Sequence, residues 1–418
     1  MPLIPALLHR PAFRNLWLGQ TISVFGDQIT LLAIPIIAVL VLNAEPEQMG
    51  LLTAAGLLPH LLFSLPAGVW LDRVHRRRRL MVWADIARAV MIATIAVAFM
   101  LNALSLAQMF IVTFIVGTLA VAFDISWSTV YVKVVDRPEY VPANSLLNGS
   151  RSLAYVAGPS VGGVLIQFLT APIAVLVDAA SYVLSAFFVW RVDAPEPTVE
   201  PQTDSIRRQL STGLSFLARD PIMRPTLASV ATLNFFNWAF TALFVLYVTT
   251  RLGVSAGELG LALGAGAIGG VVGALLAARI GRRIGIGRAF LIGMIVFPIA
   301  LVAVPLTPPG TPVPLVIAML VGMEFVAGFG VMVLDINASA IIPARTPDGI
   351  RSRVSGAWRF VNMGIRPIGA IVGGLLGGLI GVQETLLATS LLQLVGVLFL
   401  LGTPVLRLHD VPEAAEHP

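Results

Sequence analysis

The stretch GVWLDRVHRRRRL, Gly68 to Leu80, ends one long apolar run, sets a single acid beside a wall of arginine, and then begins another apolar run. A hydrocarbon layer about 30 Å thick demands this alternation, since each crossing helix needs about 20 apolar residues between its charged ends. The whole chain is written this way. Of its 418 residues, 57% are hydrophobic and 12% are charged, and the mean hydropathy is +0.89. Soluble globular domains carry about 25% charged residues. Twelve apolar runs follow, near 15–41, 48–71, 80–104, 107–134, 143–169, 172–191, 224–250, 256–279, 288–307, 313–343, 353–382 and 385–406. They predict an all-α membrane protein of twelve transmembrane helices, arranged as two six-helix bundles over 1–191 and 223–418.

Between the halves lies a polar linker, 192–222, which starts rich in Pro and acid (APEPTVEP, 194–201). From Asp204 onward it places Ile206, Leu210, Leu214 and Leu217 on one face, the pattern of an amphipathic helix lying on a membrane surface. At the N-terminus, MPLIPALLHRPAFRN leads into an apolar run too long for a cleaved leader, so the first helix is expected to stay.

Basic residues mark the cytoplasmic side of a membrane protein. With both termini inside, all Lys and Arg fall on that side except Arg251 in an outer loop and Arg88, Arg151, Arg359 and Arg366 within helices. The expected location is a plasma or inner membrane, crossed many times, with both termini cytoplasmic. A sequence pI near 10.2 is then a topology signal and no sign of nucleic-acid binding. There is no cysteine, hence no disulfide or thiolate metal site, and no Walker-type loop or nucleophile motif. No cofactor or metal is expected, and the chain does not read as an enzyme.

Two pieces of sequence occur twice. DISWS (124–128) is matched by DINAS (335–339), and RSLAYVAGP (151–159) by RFVNMGIRP (359–367), with an Arg eight residues before a Pro in both. The fourth and fifth predicted helices thus correspond to the tenth and eleventh. Paired repeats of this kind build alternating-access transporters, in which substrate sits between halves that rock against each other.

At these residues the chain resembles the major facilitator superfamily over nearly its whole length. Gly68, Asp72, Arg73, Arg76 and Arg77 are similar to that superfamily's signature after the second helix, with His75 where a Gly is usual. The equivalent loop, AARIGRRIGIGR (277–288), lacks the acid. GPSVGG, with Gly158, Pro159, Gly162 and Gly163, resembles the fifth-helix motif of exporters. FRNLWLGQTISVFGDQIT (13–30), VDAASYVLSA (177–186) and GAGAIGGVVGALLAARIG (264–281) resemble the bacterial drug and siderophore exporters, such as those for macrolides and enterobactin. The resemblance implies efflux of a small amphipathic compound, a drug, antibiotic or siderophore-like metabolite, by proton antiport. The rival readings are uptake or uniport of a small metabolite, and a non-transporting scaffold or lipid scramblase. Small molecules, protons and the bilayer are the expected partners, and a monomer the expected state.

On physical grounds Gly68 lets the second helix approach a neighbour, and Asp72 at its end can face the positive N-terminus of another helix. Such a contact can make and break between conformations, or the acid is incidental to a topology signal. Four-residue spacings place Gly266, Gly270 and Gly269, Gly273 on shared faces, as they do Gly369, Gly373, Gly377 and Gly381. These stripes suit sliding contacts or static packing equally.

Ionisable groups inside membrane helices need a partner or a task. Asp124 with Arg151, and Asp335 with Arg359, sit at matching depths and read as two buried ion pairs. Asp85 and Arg88 read as part of the nearby charge cluster, and Asp178 as an anchor near the outer end of its helix. Asp27 and Glu324 have no basic residue within a turn and remain as candidates for proton coupling or attraction of a cationic substrate, against a plain packing role. Gln20, Trp127, Asn234, Asn237, Trp238, Trp358 and Asn362 are candidate cavity residues, mixing aromatic surface with amides.

Overall fold

In a hydrocarbon layer only a helix satisfies every backbone N–H and C=O within its own segment, so each apolar run folds as one. The computed structural model describes residues 6–71, 76–193, 206–308 and 310–410. Its helices are α1 (Pro11–Ile36), α2 (Pro46–Leu71), α3 (Arg77–Met100), α4 (Leu106–Val134), α5 (Tyr140–Leu169), α6 (Ala171–Trp190), α7 (Ile206–Arg219), α8 (Met223–Thr250), α9 (Ala256–Ile284), α10 (Ile286–Leu301), α11 (Val313–Arg345), α12 (Arg351–Ile380), α13 (Val382–Leu392) and α14 (Val395–Leu398). Among the described residues, nine are long and apolar enough to cross a membrane. The shorter α10 and the α13–α14 segment, together with α2, occupy the other three places of a twelve-helix, multi-pass fold.

Two compact units form, one of Met1–Ala44 with Ala55–Thr203, the other of Glu45–Ala54 with Asp204–Pro418. In the first, α1 packs on α5 and α6, and α3 on α4 and α6. In the second, α8 packs on α12 and α13, and α10 on α11 and α13. The same partnerships therefore recur, with α8 to α13 standing for α1 to α6 once α7 is set aside. The duplicated motifs sit in matching places. α4 and α5 are joined by the one-turn helix Arg137–Glu139, α11 and α12 by Asp348–Ile350, and Pro159 and Pro367 lie inside α5 and α12.

Each unit also ties the start of its first helix to the end of its fourth, with the charges exchanged. Arg10, just before α1, pairs with Asp136 (3.1 Å) and Glu139 (2.5 Å) after α4. Asp220, just before α8, pairs with Arg345 at the end of α11 (2.9 Å). The second carboxyl oxygen of Asp220 accepts from the Ile222 and Met223 amides, 2.9 Å each, which fills donors that a helix start leaves open.

Small residues set the close approaches. A Cβ on Gly273 of α9 would stand 2.7 Å from the Phe329 carbonyl of α11. On α12, Gly369 and Gly373 meet the Phe235 and Ala239 backbone of α8, while Gly374 on the adjoining face meets Gly50 of α2.

The structure corrects the expectation for α7. Leu210, Leu214 and Leu217 meet protein instead of lipid, packing with Val354, Ala357 and Trp358 of α12 and Met223 of α8. Gly213 permits this by bringing α7 against the Arg353 carbonyl and the Ala357 methyl. An amphipathic face needs only an apolar surface, and here protein supplies it.

Candidate functional site

In the first unit the polar residues of α1, α3 and α6 converge. Gly26 lets α1 sit directly against Ser181 and Asp178 of α6, which turns the neighbouring Asp27 toward Tyr182. The Tyr182 hydroxyl donates to Asp27 Oδ1 at 2.6 Å. Its ring lies 4.4 Å beneath the Arg88 guanidinium, and Phe123 lies at 4.7 Å from that guanidinium. Arg88 forms an ion pair with Asp85 one turn earlier on α3, and both are buried. Asp178 is fully buried as well, accepting hydrogen bonds from Thr30 of α1 and from Ser181 (3.0 Å). An anion in a medium this apolar requires such donors. Asp178 is therefore joined to α1 two turns into α6.

Asp85 and Arg88 form a buried pair, with the Tyr182 and Phe123 rings against the guanidinium. The cationic charge of Arg88 acts on Asp27, Asp85 and Asp124 together. Asp27 itself has no basic group at ion-pair distance among the described residues, as expected from the sequence.

The paired-charge expectation is corrected. Asp124 and Arg151 are both exposed and form no ion pair with each other, and the same holds for Asp335 and Arg359. Matching depth along two helices did not bring the side chains to ion-pair distance, although the Arg151 charge still acts on Asp124. The basic group whose charge acts on Asp335 is Arg366, two turns further along α12 than Arg359.

In the second unit Glu324 lies half-buried on α11, its Oε2 2.9 Å from where a Gly266 Cβ would stand. Among the described residues it has no hydrogen-bond or ion-pair partner. Asn234 of α8 donates to Asn362 of α12 (3.3 Å) and to its own Val230 carbonyl (3.0 Å). One turn on, Arg366 lies 5.7 Å from the Trp238 ring centre. Trp358 and Asn237 are half-buried on the same two helices. Gln20 and Trp127, in the first unit, are half-buried with Oε1 and Nε1 enclosed and lacking a hydrogen-bond partner, and Trp127 stacks on Tyr131 at 5.1 Å.

Of the signature after α2, Asp72 and Arg73 lie outside the described residues, and Gly68 is placed only as part of α2. Arg76 is exposed before α3, whereas Arg77 at the first position of α3 is completely buried. Arg78 donates to the Val192 carbonyl beyond α6 at 2.5 Å, a cation set at a helix C-terminus. The GPSVGG residues face α1: Gly158 lies against Gln28 and Gly162 against Ile29, with Gly163 buried beside them and Pro159 half-buried. Among the described residues no group of three or more His, Asp or Glu is placed to hold a metal ion.

Sequence reasoning missed Tyr182 and Arg366. VDAASYVLSA carried the signal for the first, an acid and a phenol four apart on one helical face.

Two bundles of like architecture, with charges buried inside membrane helices, define a polytopic membrane transporter rather than an enzyme. The chain belongs to the major facilitator superfamily: the Major Facilitator Superfamily profile matches residues 16–325 and 227–417. It is 28% identical over 384 residues to the multidrug efflux pump Tap of Mycolicibacterium fortuitum, covering 89% of this chain and 91% of that protein. Among solved structures it is similar to a bacterial homologue of the iron transporter ferroportin in an inward-facing state (TM-score 0.75, 17% identity, 94% and 99% of the two chains). It is also similar to the nucleoside transporter NupG (TM-score 0.73, 11% identity, 93% and 98%).

Proposed function

We propose that the chain exports a small amphipathic compound by alternating access in exchange for protons. It resides in the plasma membrane as a monomer with both termini cytoplasmic, its halves 1–191 and 223–418 moving about the linker 192–222. The near full-length likeness to an efflux pump supports the outward direction. The observation that carries proton coupling is the state of Asp27. It lies in a membrane helix, tethered by a phenolic hydrogen bond from Tyr182, while Arg88 is paired with Asp85. A carboxyl so placed can take up and release a proton without breaking an ion pair, and Glu324, without a hydrogen-bond or ion-pair partner among the described residues, can do the same in the second unit.

The test is movement of ethidium into everted vesicles under an imposed pH gradient, acid inside. Uptake that collapses with a protonophore is expected. Uptake indifferent to the gradient, or running the other way, overturns the reading.

A further inference from the structure

Arg366 occupies the middle of α12, and an arginine at that depth in a membrane helix is held only where an acceptor meets it. Among the described residues no hydrogen bond or ion pair engages it, and its Nε is enclosed without a partner. What it does meet is an aromatic face, the Trp238 ring of α8 at 5.7 Å. One turn before it on α12, Asn362 is held by Asn234, which lies one turn before Trp238 on α8. The two helices thus present a two-rung ladder, amide against amide and guanidinium against indole. The helices approach closely beside the rungs, where Gly369 lies against the Phe235 backbone.

We propose that this ladder is a recognition site for substrates carrying a carboxylate or similar planar anion on an aromatic body. The guanidinium fork offers paired N–H donors that match a carboxylate's two oxygens. The Trp238 face receives the attached ring, and the amides below it receive polar substituents. The anion completes the coordination that Arg366 lacks in the free protein. Asp335 is the protein's own acid acting electrostatically on Arg366, so a bound anion displaces its influence. The inference rests on the chain being an exporter and names the chemistry of what it carries.

The test compares fluorescein, an aromatic carboxylate, with ethidium, a planar cation of similar size. Binding of each to purified full-length protein is followed by fluorescence anisotropy, with folding checked by size-exclusion profile. In Arg366→Gln the ratio of fluorescein to ethidium affinity should fall by about tenfold or more, the worth of a charge-assisted bidentate contact. Arg366→Lys keeps the charge and loses the fork, so the ratio should fall about threefold, and this variant decides the matter if Arg366→Gln does not fold. An unchanged ratio in the folded variants, or a wild type that does not bind fluorescein, overturns the site and leaves Arg366 as a counter-charge to Asp335. A wild type that binds fluorescein yet exports neither dye overturns the export reading and leaves the anion site standing.

Discussion

Tyr182 holds Asp27 by a 2.6 Å hydrogen bond while its ring supports the Arg88 guanidinium, so one side chain links the isolated acid of α1 to the buried ion pair of α3. Tyr182→Phe keeps the ring and deletes the donor. We expect size-exclusion behaviour like wild type and a fall of about tenfold in the initial rate of pH-driven export, since a hydrogen bond to a charged group contributes about 1.5–3 kcal/mol. A wild-type rate in that variant reduces the link to packing.

Asp27→Asn and Glu324→Gln remove charges that form no ion pair among the described residues, Arg88 being paired with Asp85. Both variants should fold at least as well as wild type, because a desolvated charge is lost and none is stranded. At least one should lose net export under a pH gradient while still exchanging substrate across the membrane at equal pH. Normal gradient-driven export by both would move the coupling acid elsewhere, Asp178 being the next to examine.

Asp85 and Arg88 behave in the opposite way. Asp85→Asn leaves a buried guanidinium uncompensated, a loss of about 3–5 kcal/mol, and should depress the yield of folded protein, with partial recovery in Asp85→Asn with Arg88→Gln. Asp124→Asn and Asp335→Asn, whose side chains are exposed and unpaired with Arg151 and Arg359, should leave the yield unchanged. Equal damage from all three single changes would show that those pairs do form in the folded protein.

Thr170 joins α5 to α6 with φ of 68° and ψ of 152°, and Gly381 makes the equivalent turn between α12 and α13 at 101° and 150°. Backbone of that kind is costly for any residue with a Cβ, at about 1–3 kcal/mol. Thr170→Gly should therefore raise the melting temperature or leave it unchanged, and Gly381→Thr should lower it. A stabilised Gly381→Thr variant would contradict the turn geometry.

The sequence by itself determined the membrane class, most span boundaries to within about a turn, and the duplication of the fourth and fifth helices, while the runs 288–307 and 385–406 reach six and eight residues past the ends of α10 and α14. Those features are local: span length follows from a hydrocarbon thickness that each segment meets alone, and a repeat is visible without folding anything. The four-residue glycine period on α12 was legible in the same way. Which face met which neighbour was not. Only the tertiary structure showed Gly369 and Gly373 against α8 and Gly374 against α2, and only it turned the apolar face of α7 onto α12. Charge pairing belongs to the same class. Asp124 and Arg151 stand at matching depth and do not meet, while Asp27 finds Tyr182 across 155 positions of chain. Depth is a property of one helix, whereas a contact depends on the rotation of two about their axes, and that rotation is set by the side chains packed between them.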